Sequence, residues 1–264
     1  MKVVVIPNLQ KDKELVYTSK LMQILSGYDC ESIIAYDDGQ ELCYDADLYV
    51  VLGGDGSIMR VSRTAARHSI PILGINLGRV GYMAELEKDE LHLIDSFFSG
   101  DYSIEHRMML SVLTPDGVEH TALNDAVLSN GRVSKMVTFS MYNDGRFVSD
   151  YNADGIIIST PTGSTAYSMS AGGPVVDPLL ECIIATPVCP HSLTSRPLVF
   201  SKHSVLELKN ETDRDIPMFV TLDGGDNMEI EYGQSIVIRS SALSTRLVRI
   251  KNEGFYSTLG KKLN

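Results

Sequence analysis

The chain has 264 residues, 44% of them apolar and 22% charged, with 34 acidic against 23 basic side chains and a net charge of −11. That length supports one large core or two modest ones, and the acidity argues against a phosphate-backbone partner such as DNA or RNA. No apolar run approaches the ~20 residues of a membrane span, and the strand-like opening MKVVVIP carries no secretory signal, so the expected compartment is the cytoplasm with no membrane partner.

In chain order, residues 3–6 read as a buried strand ended by Pro7. Residues 12–25 place Leu15, Leu21, Met22 and Leu25 roughly on one face and predict a helix stopped at Gly27. A short strand at 32–35 follows, then an acidic loop or poor helix at 37–47, an apolar strand at 48–52, a helix at 57–67 and a strand at 70–75. Strands alternating with helices imply a parallel sheet with helices on both faces, whose ligands collect beyond the carboxyl ends of the strands. Residues 87–98 read as a helix stopped at Gly100.

Beyond residue 100 the texture changes. Residues 102–113, 119–129, 137–142, 146–149, 205–208, 218–222, 228–230 and 236–239 are strand-like. Asp116-Gly117 and Asn143-Asp144-Gly145 are hairpin signals. The fold class expected is an α/β N-terminal domain with a parallel, Rossmann-like sheet, residues 1–100, followed by a β-rich, sandwich-like domain, residues 101–244. A tail, residues 245–264, returns to a strand and a short basic helix at 255–262. The four cysteines, Cys30, Cys43, Cys182 and Cys189, lack CxxC spacing and paired histidines, which argues against disulfides and a structural zinc.

Two turns carry the chemistry. After the strand at 48–52, Gly53, Gly54 and Gly56 remove three side chains ahead of a helix N-terminus, an arrangement that lets a phosphate approach the backbone. Asp55 in that turn repels phosphate, which points to holding Mg²⁺ or taking a proton from an attacking hydroxyl; shaping the turn or capping the helix explains it equally. Arg60, Arg63 and Arg67 recur along the following helix, either concentrating positive charge or forming a solvated face. The second turn, STPTGSTAYS at residues 159–168, follows the apolar run 156–158 and leads into a helix expected at 164–170. Its small residues and hydroxyls suit a nucleotide better than an apolar ligand.

GGDG at 53–56, LND at 123–125 and DGIIISTPTGSTAYSMSAGGP at 154–174 resemble the three signature blocks of NAD kinases, and TPVCPHSLTSRPLVF at 186–200 and LDG at 222–224 resemble that family's C-terminal blocks. The resemblance spans residues 50–225 in fixed order. It implies phosphoryl transfer from ATP, another triphosphate or polyphosphate to the adenosine 2′-hydroxyl of NAD, giving NADP, with Mg²⁺ or another divalent cation accompanying the donor.

Carried over residue by residue, the resemblance makes Asp55 the proton acceptor, with Gly54, Gly56 and Arg60 beside the phosphates. It assigns a ribose to Asn124 and Asp125, and adenine and ribose contacts to Thr162, Thr165, Ala166, Tyr167, Ser168, Met169 and Ser170. Asp154 falls near the nicotinamide end. Asp125 stands where the family usually has Glu, Asn152 where many members have Arg, Lys135 where some have His, and Gly225 where the DGQ motif has Gln. Family members are homo-oligomers, so a dimer or tetramer is implied. Two rival readings are a diacylglycerol-type lipid kinase with the same GGDG loop and a non-catalytic NAD(P)-binding regulator. His191 lacks metal-like spacing and reads as structural or hydrogen-bonding.

Overall fold

A computed structural model describes residues 1–36, 45–130, 136–212, 216–225, 227–251 and 254–263. The chain divides into two compact units, Met1–Arg107 with Ser244–Asn264, and Met108–Leu243.

The first unit is built on four parallel strands in the order β2 (Glu31–Ile34), β1 (Lys2–Pro7), β3 (Leu48–Gly53) and β4 (Ile72–Asn76). Strands β3 and β4 are buried along their whole length, which is why they read as continuous apolar runs instead of alternating ones. Side chains alternate across the sheet. Leu73 and Ile75 join one cluster with Leu21 and Leu25 of helix α1 (Val16–Leu25). Gly74 between them lies under Ile58 of helix α2 (Asp55–Arg67), where a Cβ would stand 2.5 Å from the Ile58 Cδ1. The helices therefore cover both faces, as the alternation of elements requires. The short strand β5 (Leu86–Glu87) pairs with β4.

Two helix expectations are corrected here. The first helix starts at Val16, not Asp12, because the Asp12 carboxylate accepts the main-chain N–H groups of Tyr17 and Thr18 and Leu15 lies at φ +53. Residues 87–98 are not one helix. They form the end of β5, a 3₁₀ turn at Leu91–Ile94 and a short helix α3 (Asp95–Ser99), which Gly100 ends at φ +82. The acidic stretch at 37–44 lies outside the described residues.

The second unit packs two sheets face to face. In chain order its strands begin with β6 (Ser103–Leu113), which enters from the first unit, then β7 (Glu119–Ala122), β8 (Asp125–Asn130), β9 (Val137–Asn143), β10 (Arg146–Ala153) and β11 (Gly155–Ser159). Helix α4 (Tyr167–Ser170) precedes β12 (Cys182–Val188), β13 (Leu198–Ser201), β14 (Leu206–Asn210), β15 (Met218–Leu222), β16 (Asn227–Ile230) and β17 (Ser235–Arg249), the last of which leads back to the first unit. One sheet has the order β13-β12-β11-β8-β15-β16 and is antiparallel. Against it stand β10, β9, β14 and the start of β17. Ile156, Ile158, Leu128 and Val220 from the first sheet meet Phe139, Met141, Leu208 and Ile238 from the second in one fully buried cluster.

The hairpin expected at Asn143-Asp144-Gly145 forms, with Asp144 and Gly145 both at positive φ, as a two-residue turn demands. Residues 119–129 are two strands, not one: β7 pairs with β6, while β8 lies between β11 and β15. The chain turns between them at Leu123 and Asn124. The strand expected at 236–239 extends through β17, and the basic tail is helix α5 (Phe255–Leu263).

Candidate active site

In the first unit, Asp55 is the first residue of α2, directly after the extended Gly54. The first turn of a helix leaves N–H groups without intrahelical acceptors, so the main chain here presents donors and partial positive charge. The carboxylate does not cap its own helix. It folds toward the loop after β4, where Oδ2 accepts the Tyr82 N–H at 2.7 Å and Oδ1 accepts the Met83 N–H at 3.0 Å. Gly81 makes that approach possible, because a Cβ there would lie 2.1 Å from Asp55 Oδ1. Each oxygen takes one N–H, which fixes the carboxylate and leaves lone pairs for a further partner. Arg60 is exposed on α2, and Gly56 has open space where a Cβ would project.

Sequence reasoning missed Lys11. It lies just after β1, and its ammonium reaches over the glycine turn, 3.4 Å from the Gly53 carbonyl, with no carboxylate partner among the described residues. Side chains at Gly54 and Gly78 would crowd it, at 2.8 and 3.1 Å from Nζ. The signal available was positional: Lys11, GGDG and the loop at 77–83 all follow carboxyl ends of parallel strands.

In the second unit three of the sequence blocks interlock. Asp223, at φ +52, turns its carboxylate onto the LND corner and accepts the N–H groups of Leu123 (2.9 Å), Asn124 (2.7 Å) and, more weakly, Asp125 (3.3 Å). The Asp223 N–H in turn donates to the Asp125 carbonyl at 3.0 Å. From the other side, Thr160 donates its hydroxyl to the Leu123 carbonyl at 2.7 Å and its N–H to the Asn124 carbonyl at 2.9 Å. Gly163 presses against the same carbonyl, where a Cβ would come within 2.1 Å.

Asp125 is 4% exposed. Burial, with the Asp223 charge adding to it, pushes its carboxyl up to about 7. Perturbed carboxyls of this kind occur at functional sites and also in structural networks.

The hydroxyl-rich turn is organised differently from the expectation. Instead of one helix at 164–170 there is a 3₁₀ turn, Gly163–Thr165, a break at Ala166 and the single turn of α4. Most of its hydroxyls bond inward: Ser164 to the Pro161 carbonyl at 2.6 Å, Thr165 to the Thr162 carbonyl at 3.2 Å, and Ser168 to Thr186 at 2.9 Å. Thr162 and Ser168 are buried, Thr165, Ala166 and Met169 half-buried, and Tyr167 and Ser170 exposed. The buried Ser159 hydroxyl has no partner among the described residues. Asn152 and Asp154 are exposed; the Asn152 carbonyl accepts the His191 N–H at 2.8 Å and the Asp154 N–H donates to Val188. Lys135 lies outside the described residues, and the Gly225 N–H closes a turn onto the Leu222 carbonyl.

Residues 5–102 match the family model of the ATP-NAD kinase N-terminal domain and residues 123–250 that of the C-terminal domain. An NAD kinase of Thermoanaerobacter sp. (strain X514) is 39% identical over 280 aligned positions, covering 99% of this chain and 98% of the relative. That of Geobacter sulfurreducens is 43% identical over 224, covering 83% and 78%. A crystal structure of an NAD kinase from Archaeoglobus fulgidus in complex with ATP superposes with a TM-score of 0.81 at 29% identity, covering 100% and 98%. A yeast NADH kinase complexed with NADH shares the fold, with a TM-score of 0.83 at 23% identity over 100% of this chain and 87% of that one. Two family models covering most of the chain and relatives of this identity lead to one conclusion: the chain belongs to the NAD kinase family.

Proposed function

We propose that the protein transfers a phosphoryl group from ATP to the adenosine 2′-hydroxyl of NAD, with Asp55 as the group that receives the hydroxyl proton. The observation that carries the reading is the pair of main-chain donors from Tyr82 and Met83 that fix the Asp55 carboxylate at the head of α2. A sugar hydroxyl attacks phosphorus poorly until its proton has an acceptor, and a carboxylate already held in place needs no reorganisation to take it. Phosphoryl transfer otherwise depends on positioning and charge. The GGDG main chain serves the donor phosphates, with the Lys11 ammonium above it.

Asn124 and Asp125 serve a ribose. Asn both donates and accepts, and an ionised Asp125 accepts from vicinal hydroxyls. With Ser164, Thr165 and Ser168 bonded inward, the turn at 159–170 contributes shape and main-chain groups more than hydroxyls. Tyr167 is 48% exposed, and its ring can serve as a surface on which a base stacks. Asp154 and Asn152 are exposed and serve the far end of the dinucleotide, and Lys135 replaces the charge that an Arg at 152 would bring.

The residues present fit a divalent cation that arrives with the triphosphate. Each Asp55 oxygen has a lone pair open, and among the described residues no cluster of three metal-ligating side chains forms a cage of the protein's own. Such a cation neutralises charge on the phosphates. Cytoplasmic location and homo-oligomeric assembly, as dimer or tetramer, belong to the same reading; among the described residues no helix is long and apolar enough to cross a membrane.

Incubation of the purified protein with Mg-ATP and NAD, read with an NADP-specific dehydrogenase, tests the reading. NADP formation is expected. Its absence with ATP, other triphosphates and polyphosphate alike overturns it.

A further inference from the structure

The two residues whose N–H groups hold Asp55 are themselves held by the end of the chain. Arg249, at the end of β17, donates through Nη1 to the Met83 carbonyl at 3.1 Å and to Glu85 at 3.0 Å. Its other nitrogen reaches Glu105 at 2.9 Å, and Glu105 also pairs with the buried Arg107. The buried Glu85 carboxylate accepts the N–H groups of Ile250 and Lys251 at 2.8 and 2.6 Å, and Lys251 pairs with Glu90 at 2.8 Å. The segment after β17 is thereby pinned to the loop that follows β4.

Tyr82 is gripped next. Its ring lies 5.8 Å from the Phe255 ring at a tilt of 38°, and the Lys262 ammonium sits 3.9 Å from its centroid. The Tyr82 hydroxyl is buried with no hydrogen-bond partner among the described residues, so these contacts, not its polar tip, fix the side chain. A cavity of about 440 Å³ lies between loop and tail, lined by Gly81, Tyr82, Glu85, Arg249, Phe255 and Thr258.

We propose that Arg249 and helix α5 form a positioning element for the reaction: Arg249 through Met83, and Phe255 with Lys262 through Tyr82, hold the loop whose amides aim the Asp55 carboxylate. The proposal rests on the reading of Asp55 as proton acceptor. Neither Arg249 nor Phe255 touches the carboxylate. Releasing the tail lets the 81–83 backbone drift, and a drift of about 1 Å at a proton acceptor costs up to a hundredfold in rate while substrate contacts elsewhere persist.

The test compares Phe255→Ala, Phe255→Tyr and Lys262→Met, alone and with Asp55→Asn, in full-length protein assayed with Mg-ATP and NAD. Phe255→Ala is expected to lower kcat about tenfold or more with KM for NAD within about twofold. Phe255→Tyr restores the rate, Lys262→Met lowers it less, and Phe255→Ala adds nothing once Asp55 is Asn. Lys262→Met changes an exposed side chain and keeps the test open if Phe255→Ala fails to fold. Normal kcat in both tail variants, with Asp55→Asn inactive, overturns the proposal and leaves the reading of Asp55 standing. Full activity in Asp55→Asn overturns that reading and the proposal with it.

Discussion

The main-chain N–H of Asn124 donates to Asp223 Oδ1 across 2.7 Å, joining residues 99 positions apart in the chain. That bond and its two neighbours tie the LND corner to the Asp223 carboxylate. Asp223→Ala leaves three N–H groups without their acceptor and places a non-glycine, non-Asx residue at φ +52. A loss of roughly 2–4 kcal/mol in stability is expected, together with a rise of about tenfold or more in KM for NAD. Asp223→Asn keeps one oxygen and tolerates the left-handed backbone, so it should lose less than half as much. Denaturant titration and initial rates measure both.

Asp125 supplies a pH signature. Its carboxyl is raised to about 7 in the folded chain by burial and by Asp223. A group raised in this way stabilises the fold fully below its unfolded value, near 4, and that contribution is lost as pH rises through about 7. Asp125→Asn, which never ionises, should match the parent near pH 4 and be more stable at pH 8, by up to roughly 4 kcal/mol. Melting curves of the two proteins across that range show the divergence or its absence.

Lys11 predicts a change confined to the phosphate donor. Lys11→Met keeps the length of the stem and removes the ammonium over Gly53 and Gly54. KM for ATP should rise about tenfold while KM for NAD holds and stability stays within about 0.5 kcal/mol, since the residue is exposed.

Gly81→Ala places a methyl 2.1 Å from Asp55 Oδ1, so the carboxylate must leave its two amide donors. Gly81 is only half-buried, and the damage should stay local. A fall in kcat of about tenfold to a hundredfold with a nearly unchanged melting temperature is expected.

Much of this was legible in the residues themselves. Strands β3 and β4 announce themselves as apolar runs, GGDG opens a helix, and Asp144-Gly145 makes its hairpin, because each depends on local period or turn chemistry. Two of the failures share one cause. Residues 87–98 have a helical pattern, but Asn76 Nδ2 donates to both Glu87 carboxylate oxygens and the Leu86–Glu87 segment pairs with β4, tertiary ties that no local window contains. The strand break at Leu123 and Asn124 is set by Asp223, about a hundred residues away. Within the site, Asp55 stood out as a carboxylate in a phosphate turn, but the Tyr82 and Met83 amides that hold it are main-chain groups, which side-chain identity does not encode. Hydroxyls at 164, 165 and 168 looked available and are bonded inward, the first two to carbonyls three residues back and the third to Thr186.

The central claim is that Asp55 receives the proton of the attacking hydroxyl, and kcat of Asp55→Asn with saturating Mg-ATP and NAD tests it most directly. Asparagine preserves size and can still meet one of the two amides, but accepts no proton at neutral pH. The account predicts a fall in kcat of about a hundredfold to ten-thousandfold with KM for NAD close to that of the parent. A variant that forms NADP within a few fold of the parent rate contradicts it.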